Sequence, residues 1–144
     1  MTTHTFHTAS EEETIELGRE LSRSILPPHG LVLLTGNLGA GKTTLVKGIA
    51  EGRGAAAPEE VSSPTFTLIH EYGDPPRVYH ADLYRLETAR QAATLGLDEL
   101  IGRDALVLIE WGERFPELWP PDRTEIEIRR EGEDQRIFEI RALS

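Results

Sequence analysis

The chain has 144 residues, no cysteine and a formal charge of −10 at pH 7, with 38% hydrophobic and 28% charged residues. That length suits one domain with a real core, the lack of cysteine excludes disulfides and thiol chemistry, and the apolar content excludes intrinsic disorder. A protein that grips nucleic acid by itself carries a basic face, against which the negative charge argues. The start, MTTHTFHTASEEE, has neither the basic nor the apolar region of a leader, and no apolar run approaches the roughly 20 residues of a bilayer span, so a cytoplasmic protein without membrane contact is expected.

In chain order, a short extended segment near Phe6 precedes SEEETIELGRELSRSIL, where Ser10 and Glu13 stand at the spacing of a reciprocal capping box. Thr14, Leu17, Gly18, Leu21 and Ile25 recur at helical spacing and form one stripe able to pack on a sheet. Pro27 to Gly30 stops that helix, and LVLLTG reads as a buried strand, apolar on both faces. A helix is expected from Lys42 to about Glu51. Of the only two lysines, Lys42 and Lys47, the second reads as a solvated helix position.

TFTLIHEY and RVYHADLY, joined by GDPP, read as an antiparallel strand pair, and ETARQAATLGLDELIG as two short helical pieces broken at Gly96. ALVLIE is a second all-apolar strand that ends on an acid. After the proline-rich FPELWPPD, TEIEIRR and RIFEIRA flank EGED as a C-terminal hairpin, with Ile126 and Ile128, and Phe138 and Ile140, on the inward face. Helices interleaved with buried strands predict a three-layer α/β domain around a mixed parallel and antiparallel sheet, spanning 1–144 as a single domain.

TGNLGAGKTT, directly after the LVLL strand, fits the phosphate-binding pattern G-x-x-x-x-G-K-[ST] through Gly36, Gly41, Lys42 and Thr43. Three of the 13 glycines lie here, Gly36, Gly39 and Gly41, and they let successive backbone N–H groups turn inward around an anion. The loop leads into a helix N-terminus, whose unpaired N–H groups favour phosphate. The expected cradle therefore runs Asn37, Leu38, Gly39, Ala40, Gly41, Lys42, Thr43 and Thr44. Lys42 would reach the β and γ phosphates, and the Thr43 hydroxyl would bind Mg²⁺. The fold is accordingly expected to be P-loop NTPase-like. Such a loop needs an acid at the end of a neighbouring buried strand, and Glu110 and Asp82 are both so placed. Thr65, within SSPTFT, is a candidate switch threonine that would order around the γ-phosphate. No arginine is evidently placed as a finger in cis.

Together, GNLGAGKTTLVKG, VSSPTFTLIHEY, HADLYRL, LGLDEL and EWGER resemble the ordered motifs of the TsaE family, formerly YjeE. The resemblance runs from the N-terminal helix to Arg114. It implies the P-loop ATPase subunit of bacterial machinery that forms threonylcarbamoyladenosine in tRNA, with ATP as nucleotide, Mg²⁺ as metal and the TsaB and TsaD proteins as partners. It further implies that Thr43 and Glu110 hold Mg²⁺, that Lys42 and the loop amides hold phosphates, and that Asp82 positions or activates water. Trp111 matches a family signature read as coupling to a partner or closing the site, or else as a core aromatic. By the same resemblance, adenine lies near Ser10 to Thr14. Asn37 departs from the acid common at its position. The hairpin matches only in pattern, and no function is carried to it.

An acidic ATPase acting on a partner that itself holds the tRNA accords with the charge. Two other readings stand beside it. One is a nucleotide-dependent binding clamp with negligible hydrolysis, under which Asp82 would be dispensable. The other is a small-molecule kinase, which needs an acceptor pocket and an arginine-bearing lid, for which RLETARQAATLGLDEL is a poor candidate. A GTPase is disfavoured, since no N-K-x-D segment is present.

Overall fold

The computed structural model describes residues 2–37, 40–64 and 68–143. In chain order its strands are β1 (Thr2–Thr8), β2 (Gly30–Thr35), β3 (Ile69–Tyr72), β4 (Val78–Asp82), β5 (Leu106–Glu110), β6 (Arg123–Arg130) and β7 (Arg136–Leu143). Its helices are α1 (Glu11–Ser24), α2 (Lys42–Gly52), α3 (Ala89–Ala93) and α4 (Leu97–Ile101). The strands form one seven-stranded sheet in the order β1-β7-β6-β2-β5-β4-β3. β4, β5, β2 and β6 run parallel to their neighbours in the middle, while β3 at one edge and β7 and β1 at the other pair antiparallel. The mixed α/β sheet is as expected.

Two apolar layers cover the sheet. On one face Val32, Leu34, Leu106 and Leu108 pack with Leu17 and Leu21 of α1 and Leu45 and Ile49 of α2. On the other, Leu31, Leu33, Val107 and Ile109 pack with Ala92 of α3, Leu97 of α4, Phe115 and Trp119. Residues alternate between faces along a strand, so a parallel strand covered on both sides must be apolar on both, as Leu31 to Leu34 of β2 and Leu106 to Ile109 of β5 are. The C-terminal pair β6 and β7 is the expected hairpin, antiparallel with Ile126 opposite Ile140 and Ile128 opposite Phe138.

α1 opens with the Ser10 side chain accepting from the Glu13 N–H at 3.1 Å. The Glu13 carboxylate reaches back to the Ala9 N–H at 2.7 Å, one residue before the bond of a reciprocal capping box. Thr8 and Thr14 hydroxyls meet at 2.8 Å and tie β1 to α1. The apolar stripe of α1 lies against α2 as well as the sheet, and the crossing is made by glycine. A Cβ on Gly18 would stand 2.6 Å from the Leu45 carbonyl oxygen, and one on Gly48 only 2.0 Å from that of Ile15. Lys47 is not a free surface lysine: its Nζ donates to the carbonyls of Pro58 at 3.2 Å and Val61 at 3.0 Å, pinning the loop after α2. Gly96, with φ 74°, separates α3 from α4 as expected.

Gly48→Ala should lower stability by about 2 kcal/mol or more because the two helices must part, despite the roughly 1 kcal/mol by which alanine intrinsically favours helix. Gly132→Ala, where an added Cβ meets nothing within 4 Å, should change it by less than about 0.5 kcal/mol. Urea unfolding midpoints compare the two.

Candidate functional site

The buried run Leu31 to Leu34 carries the chain to Thr35 at the carboxyl end of β2, where the loop begins. Gly41 ends the loop with φ 113°, a left-handed conformation that side chains rarely adopt, and α2 starts at the next residue. The first turn of α2 has no side-chain cap. Its free N–H groups and dipole are therefore open to an anion.

Lys42 is only 5% exposed. Its Nζ donates to the Gly36 carbonyl at 2.7 Å and lies 3.9 Å from the centre of the Trp111 ring. Burial pushes its pKa down, while Glu110, Glu113 and Asp82, in that order, pull it back up. Trp111 follows β5 in a left-handed turn, φ 66°, and its ring also packs on Tyr84 at 5.1 Å between centroids. A left-handed residue that is not glycine stores strain and is characteristic of functional loops.

The carboxylates come from the neighbouring parallel strands. Leu34 pairs with Glu110, and Glu110 with Asp82, so both acids end their strands beside the loop. Asp82 shares strand parity with Val78, and Glu110 with Leu106 and Leu108, which places both on the α1/α2 face. Asp82 also caps its own turn: Oδ1 accepts from the Tyr84 N–H at 3.0 Å and Oδ2 from the Ser63 hydroxyl at 3.3 Å. The capping and cavity-facing roles coexist.

His80, two residues before Asp82 and on the same face, is a site residue that sequence reasoning missed. It is 0% exposed, and its Nε2 hydrogen-bonds Oε2 of Glu110, itself 3% exposed. For Nε2 to donate to a carboxylate it must carry a proton, and Nδ1 is buried without a partner among the described residues. The readable signal was the period of two: a histidine in an otherwise apolar strand, in phase with Asp82.

A cavity of about 270 Å³ is lined by Gly41, Lys42, Thr43 and Thr44 with Ser63, Asp82, Glu110, Trp111 and Arg136. The structure thus unites Gly41 to Thr44 with Asp82 and Glu110. Asn37 and Ala40 instead line a neighbouring cavity of about 800 Å³, with Gly36, Trp111, Glu113 and residues 127–130. Leu38 and Gly39 of the expected cradle, and the switch candidate Thr65, lie outside the described residues. Arg136 is the second addition. It opens β7, and the hairpin to which no function was carried brings it to the phosphate loop.

The donors around the cavity are oxygens, from the Thr43 hydroxyl and the Asp82 and Glu110 carboxylates. They are too few to complete an octahedron, which fits a Mg²⁺ ion that keeps waters and phosphate oxygens as its other ligands.

The family profile described as "Threonylcarbamoyl adenosine biosynthesis protein TsaE" matches residues 8–138. The chain is 41% identical over 139 residues to the tRNA threonylcarbamoyladenosine biosynthesis protein TsaE of Bacillus subtilis, covering 96% of this chain and 85% of that one. It is 40% identical over 119 residues to the TsaE protein of Streptomyces coelicolor, covering 80% of this chain and 78% of that one. In structure it is similar to the crystal structure of Bacillus subtilis YdiB, with a TM-score of 0.77 and 34% identity, covering 99% of this chain and 87% of that one.

Replacing His80 by leucine should strand a buried carboxylate and cost about 2–3 kcal/mol. Adding Glu110→Gln should return part of that loss, giving a coupling of about 1 kcal/mol in a double-mutant cycle read by urea unfolding. Additive losses would show that the His80 to Glu110 bond contributes nothing.

Proposed function

This chain belongs to the TsaE family of threonylcarbamoyladenosine biosynthesis proteins, and on that premise we propose that it is a Mg²⁺-dependent ATPase. It hydrolyses ATP to ADP and phosphate in the cytoplasm, within a tRNA-modifying complex whose TsaB and TsaD partners hold the RNA. The observation that carries the reading is the meeting, around one cavity, of an uncapped helix N-terminus, a buried lysine and two carboxylates from adjacent parallel strands. Among the described residues no helix is long and apolar enough to cross a membrane.

In this reading the α2 amides hold the phosphates, and Lys42 exchanges the Gly36 carbonyl for β and γ oxygens, whose negative charge offsets the burial that disfavours the ammonium. Thr43 and Glu110 would hold Mg²⁺. When bound, the metal neutralises charge on the transferring phosphoryl group. Asp82 orients a water whose oxygen attacks the γ phosphorus as the bond to the β-γ bridging oxygen breaks. Adenine and ribose lie toward Ser10 and Thr14, which line a small cavity adjoining the first across Gly41 and Thr44.

The clamp reading has one observation in its favour: Glu110 is tied to His80 and Lys42 to Gly36, so the isolated chain is not set for turnover. The same bonds accord with slow hydrolysis alone and faster hydrolysis with partners. The kinase reading loses ground because α3 and α4 pack on the sheet face opposite α2 and form no lid over the cavity.

Phosphate release from ATP, with and without TsaB and TsaD, should fall by about a hundredfold or more for Lys42→Ala, Glu110→Ala and Asp82→Ala. Asp82→Ala should still bind ATP. A complex that modifies tRNA normally with the Asp82→Ala protein would favour the clamp. No phosphate release by wild type in a working complex would overturn the ATPase.

A further inference from the structure

The parallel pairing of β6 with β2, Leu34 opposite Ile126 and Thr35 opposite Glu127, sends the tip of the C-terminal hairpin to the same end of the sheet as the phosphate loop. There Arg130 pairs with Arg136 across the hairpin. The Arg136 side chain crosses to the loop: its Nε lies 3.6 Å from where a Cβ on Gly41 would stand. Its Nη1 donates to nearby backbone carbonyls, Glu133 at 3.2 Å and Gln135 at 3.1 Å. Among the described residues it makes no ion pair with any carboxylate. A half-buried guanidinium with five donors, fastened by local carbonyls and left without a counter-anion beside an uncapped helix N-terminus, is suited to an external anion.

Arg136 lines two chambers, and their linings bear on where that anion would sit. The first, of about 270 Å³, holds Lys42, Thr43, Asp82 and Glu110 and would contain the reacting phosphate. The second, of about 220 Å³, is lined by Ser10, Glu11, Thr14 and Asp134, and shares Gly41, Thr44 and Arg136 with the first. Carboxylates of Glu11 and Asp134 repel phosphate from the second chamber, while its hydroxyls and acids can hydrogen-bond an uncharged nucleoside. The polyphosphate would therefore end, and the nucleoside begin, at the residues the two chambers share, Gly41, Thr44 and Arg136.

We propose that Arg136 is a nucleotide-binding residue that pairs with the phosphate joined to the nucleoside. It is not a finger on the terminal phosphate. The inference rests on the ATP reading above and adds a specific consequence: because ADP and ATP share that phosphate, Arg136 supports both equally.

Calorimetric titration of the full chain with ADP and with ATP, each with Mg²⁺, tests this on wild type, Arg136→Ala, Arg136→Lys and Lys42→Ala. Arg136→Ala should weaken both nucleotides by the same factor, about ten- to a hundredfold, the range for a hydrogen bond to a charged group. Arg136→Lys should recover part of the loss, since the charge persists without the planar fork. Unchanged affinity in Arg136→Ala, a loss confined to ATP, or no recovery with lysine overturns the proposal. If wild type binds both nucleotides and Lys42→Ala is deficient while Arg136→Ala is normal, only this inference fails. If wild type binds neither, the ATP reading fails with it.

Discussion

The constraint on which this protein's site depends is the parallel register of three adjacent strands, with Leu34 beside Glu110 and Glu110 beside Asp82. Parallel strands point their carboxyl ends the same way, so the loops leaving those ends gather in one crevice. A slip of one residue in β4 or β5 would turn its acid to the opposite face, away from α2, and the site would lose it. The apolar residues preceding each acid, packed into two separate layers, make that slip costly. Positioning of the carboxylates is thus a by-product of core packing.

Three titratable side chains, Lys42, His80 and Glu110, are nearly withdrawn from solvent in the same region. Isolated burial of such groups is strongly unfavourable, and each is held by a specific partner: the Gly36 carbonyl and the Trp111 face for Lys42, and each other for His80 and Glu110. Lys42 and Glu110 are thus each held by a partner, while Nδ1 of His80 is left without one among the described residues. An anion bound at the α2 N-terminus, as proposed above, would compete for Lys42 with those partners, the Gly36 carbonyl and the Trp111 face. The half-exposed Tyr84 ring packs against Trp111 at the surface.

α2 itself must be rigid for its N-terminus to act as a cradle. The glycine crossing with α1 permits backbone contact between the helices, and the Ser22 hydroxyl donates to the Ile49 carbonyl at 2.8 Å across it. Arg19 bridges to Glu51 beside the same crossing. Lys47, fastened to two carbonyls after the helix, fixes its other flank. Residues far from any phosphate thus set the aim of those that would bind it.

Much of this was legible in the sequence because it is local. The period of side chains, the glycine and lysine spacing of the loop, and the acids closing apolar strands all depend on neighbours a few residues away. Those patterns were enough for strand existence, the helix start at Lys42, the break at Gly96 and the inward residues of the hairpin. The roles of His80, Lys47 and Arg136 were not legible, since each depends on a partner brought near only when the sheet is ordered. His80 meets Glu110 because β4 and β5 are neighbours, and Arg136 meets Gly41 because β6 lies beside β2. Strand order is a choice among long-range pairings, made by the packing of the whole chain, and no local pattern encodes which edge of a sheet a hairpin will join.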